Sequence, residues 1–124
     1  MTCHKGGCLC EKVRFEAFGP PLRVGICHCL HCRKHHGALF YAAAIYTADA
    51  VQITGHTRQY QGRHFCETCG SCVFATTGDE VELHLGAMDE PSSFRPDYEC
   101  WTKRREAWLP EFPGTRRYQG DRDE

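Results

Sequence analysis

Three observations predict an all-β domain of small antiparallel sheets with little helix. Apolar residues alternate with polar ones over several short runs, glycines recur at nearly even intervals, and no segment sustains a 3.6-residue apolar period. The run CLCEKVRFEAF at 8–18 puts Cys8 and Cys10 on one parity and Val13, Phe15 and Ala17 on the other, as in a half-buried strand, and Gly19-Pro20-Pro21 then turns the chain. LFYAAAIY at 39–46 and the residues 81–85 read as further strands, with shorter ones at 50–54, 57–61 and 73–77. Gly55, Gly62, Gly70, Gly78 and Gly86 fall where turns between short strands are needed. Helix is limited to a single turn at 32–36 and about two turns at 102–109. The stretch 115–124, TRRYQGDRDE, reads as a polar end anchored only by Tyr118. With 124 residues and no composition break, the reading is one domain over 1–124.

Charge narrows the partners. Fifteen Lys and Arg against sixteen Asp and Glu give a net charge of -1, without the basic excess of a nucleic-acid binder. No apolar run reaches the roughly 20 residues of a membrane span, and Met1-Thr2-Cys3-His4-Lys5 has no secretory apolar segment. The expectation is a cytoplasmic protein that engages neither nucleic acid nor membrane, of unassigned oligomeric state.

Ten cysteines in so short a chain mean either disulfides or bound metal, and spacing decides between them. They come in tight local groups: Cys8 with Cys10, Cys27 with Cys29 and Cys32, and Cys66 with Cys69 and Cys72. Such neighbours make poor disulfide partners and good chelates. A C-x-C pair presents two sulfurs to one side of a strand and a C-x-x-C turn presents two to one point, so Cys8, Cys10, Cys66 and Cys69 can close a tetrahedron around zinc, with Gly70 serving the tight knuckle. The plain alternative is four reduced core cysteines. CHCLHC at 27–32 offers Cys27, Cys29 and Cys32 to a second zinc and leaves a position open, the mark of a catalytic site. Three thiolates make a bound water weakly acidic, so this site suits a thiol entering the fourth position. Cys72 is a candidate fourth ligand that would close it, and His28, His31, His35 and His36 are others; Cys3 and Cys100 have no partner at chelating distance and read as small buried or reducible cysteines.

These motifs, in this order, resemble the glutathione-dependent formaldehyde-activating enzyme family, whose domain also occurs in centromere protein V. The likeness runs from GGCLC at 6–10 with Val13-Arg14-Phe15, through CHCLHCRK at 27–34 with Gly37 and Phe40, to FCETCGS at 65–71 and the tryptophans Trp101 and Trp108. It implies a tent-like arrangement of small sheets around zinc, similar to a guanine-nucleotide-exchange zinc protein. It further implies a structural zinc at Cys8, Cys10, Cys66 and Cys69 and a catalytic zinc at Cys27, Cys29 and Cys32. The implied activity joins formaldehyde and glutathione in S-hydroxymethylglutathione, formally a carbon–sulfur lyase run in reverse, with Arg33, Lys34, Arg104 and Arg105 as cations for the carboxylates of the thiol. The chain departs from the family pattern in Glu11, in Glu99-Cys100 before the first tryptophan, in Arg105, in Ala107 and in Cys72. The expected function is a zinc-dependent enzyme acting on a thiol adduct. The competing reading is a non-catalytic zinc module that binds a protein, which permanent closure of the second site by Cys72 would favour.

Overall fold

The computed structural model describes residues 2–122. Eleven strands form among them: β1 (Cys3–Gly7), β2 (Arg14–Phe18), β3 (Arg23–Cys27), β4 (Tyr41–Thr47), β5 (Val51–Thr54), β6 (Thr57–Tyr60), β7 (Arg63–Cys66), β8 (Cys72–Thr77), β9 (Glu80–His84), β10 (Tyr98–Cys100) and β11 (Arg116–Arg117). One α-helix, α1 (Leu30–His36), follows β3. The strands build a three-stranded sheet in the order β1-β2-β5 and an eight-stranded sheet in the order β11-β10-β3-β4-β9-β8-β7-β6. The all-β class therefore holds. Neighbours are antiparallel except that β10 runs parallel to both β3 and β11.

Side chains from both sheets meet in the larger of two cores. Val13, Phe15 and Ala17 enter it from the β2 hairpin, and Ala44, Tyr46, Val73, Phe74, Val81 and Leu83 enter from β4, β8 and β9. The alternation is that of a strand with one buried face, since Val13, Phe15 and Ala17 are all but inaccessible while Arg14, Glu16 and Phe18 are only partly covered. Tyr46 satisfies its buried hydroxyl by donating to the Gly19 carbonyl at 3.0 Å. Burial of this apolar set, at about 25 cal/mol per Å², is the main term holding the two sheets together.

Several local elements differ from the sequence reading. The strand expected over 8–18 begins only at Arg14, because Glu11 adopts φ 69° and folds 8–13 into a turn closed by Cys8 N–H to Val13 O at 3.0 Å. Cys8 and Cys10 accordingly sit on a hairpin turn, not on a strand. The single turn at 32–36 is a helix from Leu30, because the Cys29 sulfur accepts the Cys32 N–H as an N-cap at 3.3 Å. Gly37 ends it in the left-handed region at φ 71°. Only Thr102–Arg104 of the expected helix at 102–109 is helical, as one 3₁₀ turn entered from Trp101 at φ 57°.

The stretch 115–124 is corrected over its described part. Arg116 and Arg117 pair with β10, Trp101 N–H donates to Gly120 O at 2.8 Å, and the Trp101 indole donates to Asp121 at 2.8 Å. The polar composition that suggested a loose end instead reflects ties to backbone and charge. Asp123 and Glu124, also in that reading, lie outside the described residues.

Candidate metal centres

Two knuckles face each other to form the first centre. In one, the turn after β1 brings Cys8 and Cys10 together, with Val13 N–H donating to Cys8 Sγ at 3.3 Å. In the other, the turn between β7 and β8 directs the N–H groups of Thr68 and Cys69 at Cys66 Sγ, at 3.3 and 3.5 Å, and Gly70 takes φ 79° so that its N–H can return to Cys66 O. Such N–H to sulfur bonds stabilise thiolate. The Ser71 hydroxyl joins the knuckles, accepting from Leu9 N–H at 3.0 Å while lying 3.2 Å from Cys69 Sγ. Ser71 lowers the Cys69 thiol to about 5, first through its side chain and then through its backbone.

The four sulfurs lie within 4.8 Å of one another. Cys8 to Cys10 is 3.6 Å and Cys10 to Cys66 is 3.7 Å. A tetrahedron with zinc–sulfur bonds of about 2.3 Å has edges of about 3.8 Å, so the spacing and the all-thiolate donor set fit zinc. All ten cysteines are free, and seven of them fall in the two groups placed to hold a metal ion.

The second centre joins the end of β3 to α1. Cys27 ends the strand, Cys29 caps the helix, Cys32 lies in its first turn, and their sulfurs also lie within 4.8 Å of one another. A hydrogen bond from Cys27 lowers the Cys32 thiol to about 6, helped by Cys29 and the Arg63 guanidinium, while Cys27 is raised by that same bond and by burial. Arg63 thus places a positive charge where it favours thiolate at Cys32. Among the described residues, no fourth side chain joins it. Cys72, the candidate fourth ligand, turns its sulfur to the His35 carbonyl at 3.4 Å and belongs to neither group. His28 is turned away altogether, and His31, His35 and His36 do not enter the ligand set either.

Cys27, Cys29 and Cys32 open into a cavity of about 850 Å³. Arg63 from β7, Arg104 from the 3₁₀ turn, Tyr41 and Glu82 line it. The Tyr41 hydroxyl donates to Glu82 Oε1 at 2.7 Å, and the cluster that Tyr41 forms with Ala43 and Ile45 packs against Cys27 and Cys32. His36 and His84 form another part of the wall; burial lowers both, His84 to about 3, so neither carries charge near neutrality. Of the four cations implied by the resemblance, only Arg104 lines this cavity. Arg33 pairs with Glu106 at 3.0 Å, Arg105 lies against Glu99 and the Pro110 carbonyl, and Lys34 lines a separate cleft. Cys3 is exposed rather than buried, and Cys100 lines the cavity without joining the ligands.

Sequence reasoning missed Arg63, Tyr41, Glu82 and the buried Glu99, all of which lie outside the 27–32 motif that they face. The one local signal was Glu99 itself, a lone carboxylate between Tyr98 and Cys100.

A β-rich fold carrying one group of four thiols and one of three, each placed so that it could hold a metal ion, defines a class of cysteine-rich domains. The profile of the family described as glutathione-dependent formaldehyde-activating enzyme matches residues 3–104, and the chain belongs to that family. A Halomonas elongata protein, provisionally named a glutathione-dependent formaldehyde-activating enzyme, is 34% identical over 84 residues. That match covers 56% of this chain and 54% of the relative, so the likeness spans about half of each. The fold is also similar to a crystal structure of a Rhodobacter sphaeroides protein, with TM-score 0.52 and 22% identity over 68% of this chain and 87% of that one. Among the described residues, no helix is long and apolar enough to cross a membrane.

Proposed function

We propose that this chain is a zinc-dependent enzyme of carbon–sulfur lyase type that joins a small thiol such as glutathione to an aldehyde such as formaldehyde. The observation that carries the reading is a three-sulfur group at the wall of an open cavity with no fourth protein ligand among the described residues. Zinc held by Cys27, Cys29 and Cys32 would supply a soft Lewis acid that keeps an incoming thiol deprotonated at neutral pH. The other four cysteines already supply four sulfurs to one point and so suit a closed structural site.

The chain's own residues divide the remaining work. Arg63 and Arg104 reach the cavity from different elements, giving two guanidinium groups for a thiol that carries carboxylates. Adding a thiol across an aldehyde forms one carbon–sulfur bond and puts the thiol's proton on the former carbonyl oxygen. The Tyr41 hydroxyl bound to Glu82 is the protic pair that packs beside Cys27 and Cys32. Because Cys72 stays with the His35 carbonyl, the fourth position is open to such a thiol, which favours an enzyme over a closed binding module.

The test is metal content together with adduct exchange. Purified protein should hold two zinc ions per chain and accelerate exchange of ¹³C-formaldehyde with glutathione, followed by NMR, above the uncatalysed rate. Arg63→Ala should raise KM for glutathione about tenfold while changing kcat less, the loss of one charged contact. A single ion per chain, or no acceleration with two ions bound, would overturn the proposal.

A further inference from the structure

The residue between the first two cysteines of the second centre is buried more completely than the cysteines. His28 has no accessible side-chain surface, and neither has Glu99, its partner on β10. Backbone alternation at Cys27-His28-Cys29 sends the imidazole to the side opposite the two sulfurs. There His28 Nε2 lies 2.9 Å from Glu99 Oε1, with the Phe40 ring beside it at 6.1 Å between centroids. The backbone of the same loop is tied to the same strand, since His28 N–H donates to Cys100 O at 3.0 Å and Cys27 is paired with Cys100.

Glu99 is itself held from three directions. The Thr115 hydroxyl donates to Oε2, Arg117 Nε is 3.4 Å from Oε2, and Arg105 Nε is 3.6 Å from Oε1. Burial alone would push this carboxyl up. The bonds from Thr115 and His28, with the charge on Arg117, outweigh burial and hold it below its ordinary value, so it stays ionised. A buried carboxylate met by two donors and two guanidinium groups is a rigid anchor, because every departure leaves a charge without partners in a medium of low dielectric constant. Thr115 and Arg117 lie beyond residues 3–104, the stretch that matches the family profile.

We propose that Glu99 is a positioning residue for the second metal centre, fixing the Cys27–Cys29 loop through His28, and that residues 115–117 complete this anchor. The proposal rests on the reading that Cys27, Cys29 and Cys32 bind a metal. Glu99 touches no ligand sulfur; it acts by fixing the peptide from which two of them project. Partners of this kind usually alter metal affinity by about 10–100-fold when removed.

Cobalt titration of the full chain tests it, because Co²⁺ in a thiolate site shows charge-transfer and d–d bands that report geometry. Loss of one set of bands in Cys29→Ser identifies the second site. Glu99→Leu should weaken Co²⁺ and Zn²⁺ at that site by about tenfold or more and shift its d–d bands, leaving the four-cysteine site unchanged. Glu99→Gln, which keeps an acceptor for His28, should recover most of the affinity, and Thr115→Val and Arg117→Ala should weaken it in the same direction. His28→Leu combined with Glu99→Leu should cost little more than either alone, since both break one connection. Should Glu99→Leu fail to fold, the Thr115 and Arg117 variants still decide the matter. Unchanged affinities and spectra in Glu99→Leu, Thr115→Val and Arg117→Ala, or equal weakening of both sites, would overturn the positioning role. A wild-type chain that binds only one ion would instead overturn the underlying metal reading.

Discussion

Replacing Cys66 with serine tests the division of labour between the two centres. Cys66 is 1% exposed, accepts two backbone N–H bonds at 3.3 and 3.5 Å, and lies 3.7 Å from Cys10 across the join between the hairpins. A structural zinc site contributes about 12 kcal/mol, so one ligand in four accounts for ~3 kcal/mol, a large part of a typical folding stability. A 124-residue chain has an unfolding entropy of about 0.26 kcal/mol/K, which converts this loss to a Tm lower by roughly 12 °C. Cys29→Ser removes a ligand of the open centre, but serine is itself a good N-cap, so α1 keeps its start and Tm should fall by less than about 4 °C. Circular dichroism melts paired with zinc analysis measure both quantities on the same samples. Equal Tm losses in the two variants, or a Cys66→Ser protein that retains two ions and melts with the wild type, would refute the assignment of one centre to folding and the other to chemistry.

Two further outcomes are expected. Cys72→Ala should keep two ions and wild-type adduct exchange, because the Cys72 sulfur meets the His35 carbonyl and no ligand; loss of one ion on zinc analysis would show otherwise. Glu80→Gln breaks the pair with Arg23, at 2.7 Å and about a third exposed, and should lower Tm by about 2–4 °C at pH 7, from ~0.5–1 kcal/mol. Arg23 holds Glu80 below its ordinary 4.5, so the bridge stabilises the fold above that pH; the Tm gap to wild type should close as pH falls below it, and a gap that persists there would contradict the ion-pair account.

How far the sequence revealed the molecule depended on the range of each signal. The parity of Val13, Phe15 and Ala17 is written in consecutive residues, and the structure buries those three as alternation requires. The two cysteine groups were legible for the same reason, since C-x-C and C-x-x-C spacing fixes two sulfurs locally and leaves only the pairing of knuckles to tertiary structure. What escaped was set by contacts distant in sequence or by single torsions. Glu11 at φ 69° cuts short a strand whose alternation was otherwise sound, and Trp101 at φ 57° does the same to a helix. Arg117 reaches Glu99 only because β11 lies beside β10 in the large sheet, and Arg63 of β7 reaches Cys32 only because α1 folds back towards that strand. Nothing in the local composition of TRRYQG distinguishes a strand bound through its backbone and arginines from a solvated end.

The Cys29 sulfur is at once the first cap of α1 and a member of the second centre. A helix of seven residues is too short to persist unaided, so an ion held at Cys27, Cys29 and Cys32 would be coupled to the winding of residues 30–36. By reciprocity, fraying of that segment would then loosen the ion, and capture of the ion would wind the segment tighter.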